Sequence, residues 1–344
     1  MAKTRLVIDT DAVTDDVRAV SLALQHSNSE VLAITTVAGC VPVEQAVANM
    51  VRTLRANNVT GVPIFKGASK PLILNNHTRH NEKILFGNDG LGDHPTEFPT
   101  VRPDDYNGHQ HEIPAAIALI DLFRKNRDLT LVCLGPLTNI ALAIKLEPRF
   151  CEWPRKIVVM GGNIYGKGNI SPNSTAEFNF SMDPEAAFIV INEMKCKITV
   201  IPWEAFLHES KVSTVDFHAH LKLDAPLARY FEMVTRRGRK TLSKVDRQYG
   251  YCDEVAMGVA LDPDSLVLKE KVLQASVELH GALTRGQMAI DWMEGIFPET
   301  MSASIHRINS HVSFVLAYDV KVLDEMIFET IRRSEERRKR LELL

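Results

Sequence analysis

RLVIDTDAVTDDVRAVSLALQH, residues 5–26, decides the fold. The apolar run Leu6 to Ile8 leads into Asp9, and from Asp15 onward apolar residues recur at helical spacing. A short apolar strand followed at once by an amphipathic helix is the opening unit of a parallel sheet with helices on its faces. The alternation repeats outward. Strand-like runs stand at VLAITTVA (31–38), LTLVCL (129–134), KIVVMGG (156–162) and KITVIP (197–202). Amphipathic stretches follow the first three of these strand-like runs: VEQAVANMVRTLRANN, LTNIALAIKL and DPEAAFIVINEM. The pattern predicts an α/β fold: a single domain over residues 1–344 with a mostly parallel, doubly wound central sheet and helices on both faces. VLQASVELHGALTRGQMAID (272–291) and SASIHRINSHVSFVLAY (302–318) read as added β segments near the C-terminus. Lys222 to Lys244 reads as a helix ending in the basic run RRGRK, and TIRRSEERRKRLELL as a solvated final helix.

The charge balance narrows the class of ligand. Forty basic residues against 43 acidic ones leave a formal charge of -3 in 344 residues, with no global field to recruit nucleic acid or an anionic membrane. A small molecule is the expected partner. No apolar run approaches the ~20 residues that span a bilayer, and the N-terminus enters a strand without a signal-peptide core. The expected location is the cytoplasm. Cys40, Cys133, Cys151, Cys196 and Cys252 are odd in number and form no CxxC pair, so reduced thiols are expected rather than a disulfide framework or a zinc knuckle.

The chemistry concentrates where the first strand ends. Asp9, Asp11, Asp15 and Asp16 place four carboxylates within eight residues. One of them can cap the following helix, whose N-terminus favours negative charge, but capping does not account for four. A hard cation does, because calcium takes six to eight oxygen ligands in flexible geometry. Open α/β sheets bind ligands at the carboxyl ends of their strands, where the irregular segments Lys66–Glu112 and Gly161–Met182 also fall. His77, His80, His94, His109 and His111 crowd the first of these segments without the helical HExxH spacing of a zinc site. GGNIYGKGN follows a strand but lacks GxGxxG spacing, so it reads as a binding loop rather than a dinucleotide fingerprint.

The aspartate stretch resembles the N-terminal signature Asp-x-Asp-Pro-Gly-x-Asp-Asp of the inosine-uridine-preferring nucleoside hydrolase family, in its Cys-containing subgroup. The resemblance continues in order through TTVAGC (35–40), GNDGLGD (87–93), LGPLTNIALA (134–143), VVMGGN (158–163), AEFNFSMDPEAA (176–187) and CDEVAMGVALDP (252–263). It implies calcium-dependent hydrolysis of the N-glycosidic bond of ribonucleosides, with water attacking from the face opposite the base and inverting the sugar carbon. Asp11 is implied as the general base and as a metal ligand. Asp16, Asp253 and the Leu134 carbonyl would complete the calcium site. Asp15, Asn169, Glu177 and Asn179 would hold the ribose hydroxyls, with Asn173 the alternative to Asn169. Met160 would lie beneath the sugar, beside Cys40, where the family commonly has Asn. Cys252, at the position of a His or Trp in many members, is a possible contact of the leaving base together with Tyr249 and Tyr251. A homodimer or homotetramer is the implied assembly.

Two departures weigh against full activity: Ala12-Val13 replaces Pro-Gly, and Cys40 replaces Asn. They keep open a catalytically silent nucleoside-binding paralogue. A strand ending in Asp-x-Asp also opens haloacid-dehalogenase-like phosphohydrolases, with Asp9 as nucleophile and magnesium as metal. That reading leaves the Asp15-Asp16 pair unexplained.

Overall fold

Runs such as Leu6–Val7–Ile8 bury on both sides, so their strands belong in the middle of a covered sheet. The computed structural model describes residues 3–74, 83–106, 112–170, 175–292 and 311–343. Nine strands form one sheet: β1 (Thr4–Thr10), β2 (Ser29–Thr36), β3 (Ile64–Lys66), β4 (Thr130–Cys133), β5 (Lys156–Met160), β6 (Lys197–Ile201), β7 (Val267–Val277), β8 (Met288–Asp291) and β9 (His311–Tyr318). Their order is β3-β2-β1-β4-β5-β6-β9-β7-β8. All pairs from β3 through to β9 are parallel, and only β9–β7 and β7–β8 are antiparallel.

Side chains of the central strands alternate between two cores. Leu6, Ile8, Val132 and Val158 face helices Thr14–Gln25, Val43–Ala56 and Asp253–Leu261. Val7, Leu131, Ile157 and Val159 face helices Ala115–Lys125, Thr138–Leu146 and Pro184–Glu193. The expected doubly wound sheet is therefore present. The chain reverses its winding between β1 and β4, which are adjacent, so the segments leaving these strands part to opposite faces and open a crevice at their carboxyl ends. Asp9 lies in that register, opposite Thr35 on one side and Cys133 on the other.

Several elements differ from the sequence reading. β3 is only three residues long, too short for alternation to show. The helices Ala115–Lys125 and Trp203–Val212 were not anticipated. The expected β segment 302–318 is a strand from His311 onward, and residues 302–310 lie outside the described part. The helix expected over Lys222–Lys244 runs from Pro226 to Leu242. Its basic run serves as internal bracing: Arg236 pairs with Glu97 at 2.8 Å and Arg237 with Asp93 at 3.0 Å, fastening the 87–97 segment over the sheet end. No helix among the described residues is long and apolar enough to cross a membrane.

Candidate functional site

β1 divides its carboxylates between different surroundings. Asp9 turns toward helix Thr138–Leu146, where it accepts hydrogen bonds from the Thr35 hydroxyl at 2.5 Å and the Asn139 amide at 2.7 Å. It is fully buried, and burial, only partly offset by these donors, pushes its pKa up to about 7. Asp9 is thus structural support. The other three aspartates line a cavity of about 610 Å³ at the β1/β4 crevice, within the range of small-molecule sites.

Asp11 leaves the strand end with its Oδ2 accepting the Cys40 backbone N–H at 2.8 Å, and the Cys40 thiol also bonds to it. A side chain at Gly39 would put its Cβ 2.1 Å from Asp11 Oδ2, so glycine is required where the two segments meet. Asp16, in the first turn of helix Thr14–Gln25, accepts from the Thr10 hydroxyl and reaches back to the Val13 N–H at 3.1 Å, half of a capping box. Asp15 lies deep among protein atoms, yet its carboxylate opens into the cavity. Between Asp11 and these residues, Ala12 adopts a left-handed φ of +61°. Proline, the family residue here, cannot adopt that angle, so this loop follows its own path. The Asn49 amide bonds to the Ala12 carbonyl at 2.9 Å and to the Asp89 carbonyl at 2.8 Å, tying the loop to GNDGLGD. Asp89 and Asp93 of that stretch cap its own backbone N–H groups.

Asp253 arrives from far along the chain at the start of helix Asp253–Leu261. The buried pair Arg18–Glu254, 2.5 Å apart, clamps this helix to Thr14–Gln25. Arg18 also donates to the Gly250 carbonyl at 3.2 Å, and Glu254 accepts the Cys252 N–H at 2.8 Å. The ligand atoms of Asp15, Cys252 and Asp253 fall within 4.8 Å of one another. Burial, then repulsion from Asp11 and Asp15, pushes Asp16 well above the carboxylate range. Burial, then repulsion from Asp16, Asp15, Glu254 and Asp11, does the same to Asp253, and burial followed by Glu254 raises Asp15 to about 7. The buried Cys252 thiol is pushed well upward, so it stays neutral beside these acids.

The donor chemistry fits a hard divalent cation. Asp11, Asp16 and Asp253 offer carboxylate oxygens that repel one another, and a cation among them would offset the cost of burying them charged. The Leu134 carbonyl follows β4 and accepts the Asn179 amide at 2.9 Å, leaving a second lone pair available. Leu134 is among the residues lining the cavity.

Opposite these groups stand the expected sugar contacts. Glu177 caps helix Phe178–Met182, accepting from Asn179 N–H at 2.9 Å, Phe180 N–H at 3.2 Å and Gly162 N–H at 2.9 Å. A carboxylate has about four acceptor positions, so about one remains for a ligand. Asn179 donates to the Leu134 and Met160 carbonyls, which leaves its own carbonyl oxygen as acceptor. Asn169 lines the cavity, and its buried Oδ1 finds no donor among the described residues; the same holds for Asp15 Oδ1. Asn173 lies outside the described residues. Cys40, Met160, Cys252 and Tyr249 also line the cavity. Tyr251 does not: fully buried, it packs edge-on against Phe217 at 5.1 Å and donates its hydroxyl to Asp324. Sequence proximity placed it at the base, but two residues along an extended segment turn a side chain away. His94 pairs with Glu97 at 3.1 Å, and His77, His80, His109 and His111 lie outside the described residues.

Supporting residues went unanticipated. Glu204 accepts N–H groups of Ile164, Tyr165 and Lys167, shaping the loop that delivers Asn169. Arg18 was legible as a lone charge on the apolar face of its helix. Glu204 carries no such signal.

A family model described as inosine-uridine preferring nucleoside hydrolase matches residues 6–324. The chain is 32% identical over 291 residues to the inosine-uridine preferring nucleoside hydrolase of Leishmania major, covering 84% of this chain and 88% of that one. It is 30% identical over 284 residues to the pyrimidine-specific ribonucleoside hydrolase RihB of Escherichia coli O1:K1, covering 80% and 84%. The solved structure of an inosine-guanosine nucleoside hydrolase superposes with a TM-score of 0.82 at 29% identity, covering 96% of this chain and 99% of that one.

Proposed function

The chain belongs to the inosine-uridine preferring nucleoside hydrolase family and is an N-glycosyl hydrolase, and from that premise we propose a calcium-dependent ribonucleoside hydrolase with Asp11 as general base. One observation carries the reading: Asp11, Asp15, Asp16 and Asp253 line one cavity together with Asn169, Glu177 and Asn179. Asp11, Asp16, Asp253 and the Leu134 carbonyl would hold the ion. Bound there, calcium would supply Lewis acidity toward water and a fixed charge that orders the ribose diol.

The chain's own groups do the rest. Asp15 Oδ1 and Asn169 Oδ1 accept hydrogen bonds from sugar hydroxyls, which are the donors these buried oxygens otherwise lack. Glu177 and Asn179 contribute one remaining acceptor each, and Met160 supports the apolar underside of the ring. Breaking the bond to the base builds positive charge on the ribose, which the surrounding carboxylates stabilise. Asp11 takes the proton of the attacking water, its direction fixed by the Cys40 N–H. The Cys40 substitution therefore keeps a donor on the base through the backbone.

The test is release of ribose from inosine, adenosine, guanosine, uridine and cytidine, before and after chelation, with metal content measured in parallel. Turnover that is lost on chelation and restored by calcium supports the reading. A folded, calcium-loaded protein that binds nucleosides without releasing ribose would make it the silent paralogue instead.

A further inference from the structure

The cavity changes character from floor to rim. Asp11, Asp16 and Glu177 are at most 2% exposed, whereas Ile84 at the mouth is 50% exposed. The rim is apolar, formed by Ile84, Leu85, Phe86, Trp203, Phe206 and Leu242, and a planar base fits there. Arg247 is the one basic residue among the described residues lining the cavity.

Its position is built. Helix Pro226–Leu242 ends in a turn where Asp246 takes a left-handed φ of +52°, and the Arg247 N–H bonds back to the Leu242 carbonyl at 3.1 Å. The next residue is pinned on both sides: Gln248 accepts the Phe217 N–H at 3.2 Å and donates to the Val215 carbonyl at 3.2 Å. Tyr249 then packs on Gly238, where a Cβ would approach its ring to 2.3 Å. Arg247 is half-buried, so its charge acts through a poorly solvated path.

The reaction needs a group at this place. When the bond between sugar and base breaks, its electron pair leaves on the base nitrogen. Water oxygen forms the new bond to the sugar carbon, its proton passes to Asp11, and the departed base later takes a proton from solvent. Until then the base carries negative charge. No histidine lines the cavity among the described residues, and the Cys252 thiol is a weak donor. The Tyr249 phenol is neutral and held beneath the Arg18 guanidinium at 5.1 Å.

We propose that Arg247 is a catalytic residue that stabilises the departing base as an anion, by donating hydrogen bonds to it rather than transferring a proton. A fixed cation favours bases whose charge spreads onto a carbonyl oxygen, such as hypoxanthine, guanine and uracil, over adenine, whose exocyclic amine is a donor. This rests on the nucleoside reading above.

The experiment compares inosine with p-nitrophenyl β-D-riboside, whose phenolate leaves without assistance, in the wild-type enzyme and in Arg247→Met and Arg247→Lys. Arg247→Met is expected to lower kcat/KM on inosine by about 10²–10³-fold while changing the aryl riboside by less than about threefold, with Arg247→Lys recovering part of the loss. Turnover of the aryl riboside certifies a folded floor. Equal losses on both substrates, or no loss on inosine, overturn the proposal. A wild-type protein inert on both overturns the nucleoside reading itself, and this inference with it.

Discussion

At the floor of the cavity stand five carboxylates, Asp11, Asp15, Asp16, Glu177 and Asp253; backbone N–H groups and the Thr10 hydroxyl hold Asp11, Asp16 and Glu177, and the Arg18–Glu254 pair braces the helix that carries Asp253. At the rim stand side chains from the helices Lys83–Phe86, Trp203–Val212 and Pro226–Leu242, with ring contacts such as Trp203–Phe206 at 4.8 Å. Like-charged groups are costly to bury without partners, which fixes Asp11, Asp16 and Glu177 in place and leaves Asp15 Oδ1 without a donor among the described residues. The rim needs only apolar area, which many residues supply. On the proposed reading, sugar chemistry belongs to the floor and choice of base to the rim.

The largest test of this division is Asp11→Asn, expected to cut kcat by about 10³–10⁴-fold on every nucleoside, with an unchanged melting curve. Unequal losses among bases would blur the division. Next comes Glu254→Gln, which leaves Arg18 charged and buried without its partner; a stability loss of about 3 kcal/mol by urea unfolding is expected, with weakened calcium binding. Unaltered calcium affinity would mean that the clamp does not position Asp253. On the rim, Trp203→Ala is expected to raise KM about tenfold and to shift preference among bases, leaving the ratio of ribo- to 2′-deoxyribonucleoside turnover as it was. The smallest effect belongs to Ala12→Gly: relief of the left-handed φ outweighs the added freedom of the unfolded chain, for a gain of about 0.5 kcal/mol. Ala12→Pro should lower the melting temperature, and a tolerated proline would show that the loop can also take the path of the family signature.

The legibility of the molecule divides along the same line. The parallel sheet and its helices were readable because Leu6–Ile8 and the later β-branched runs alternate with amphipathic stretches, a pattern that burial imposes directly. Asp11, Asp15 and Asp16 stood out because clustered charge is costly and needs a reason, whereas Asp253, far along the chain, was reached only through the family resemblance. Asp9 was grouped with them, but only the structure shows it turned away toward Asn139. Tyr251 was misplaced because chain proximity says nothing about which way an extended segment faces. Glu204, and the two aromatics Trp203 and Phe206 at the rim, were invisible, since a helix of mixed composition gives no sign that it overhangs a cavity.

The distance along the chain between Asp16 and Asp253 also bears on how the protein is made. A nascent chain emerging from the ribosome displays Asp11, Asp15 and Asp16 to water, where they ionise freely and repel at little cost. The site is completed only after synthesis passes Asp253 and the Arg18–Glu254 clamp closes, one of the longest-range contacts the chain makes. Until then the growing polypeptide would hold only part of the proposed cation-ligand set. On the proposed reading, the metal site would be completed late in synthesis, and an ion held there would report that both ends of this span have folded together.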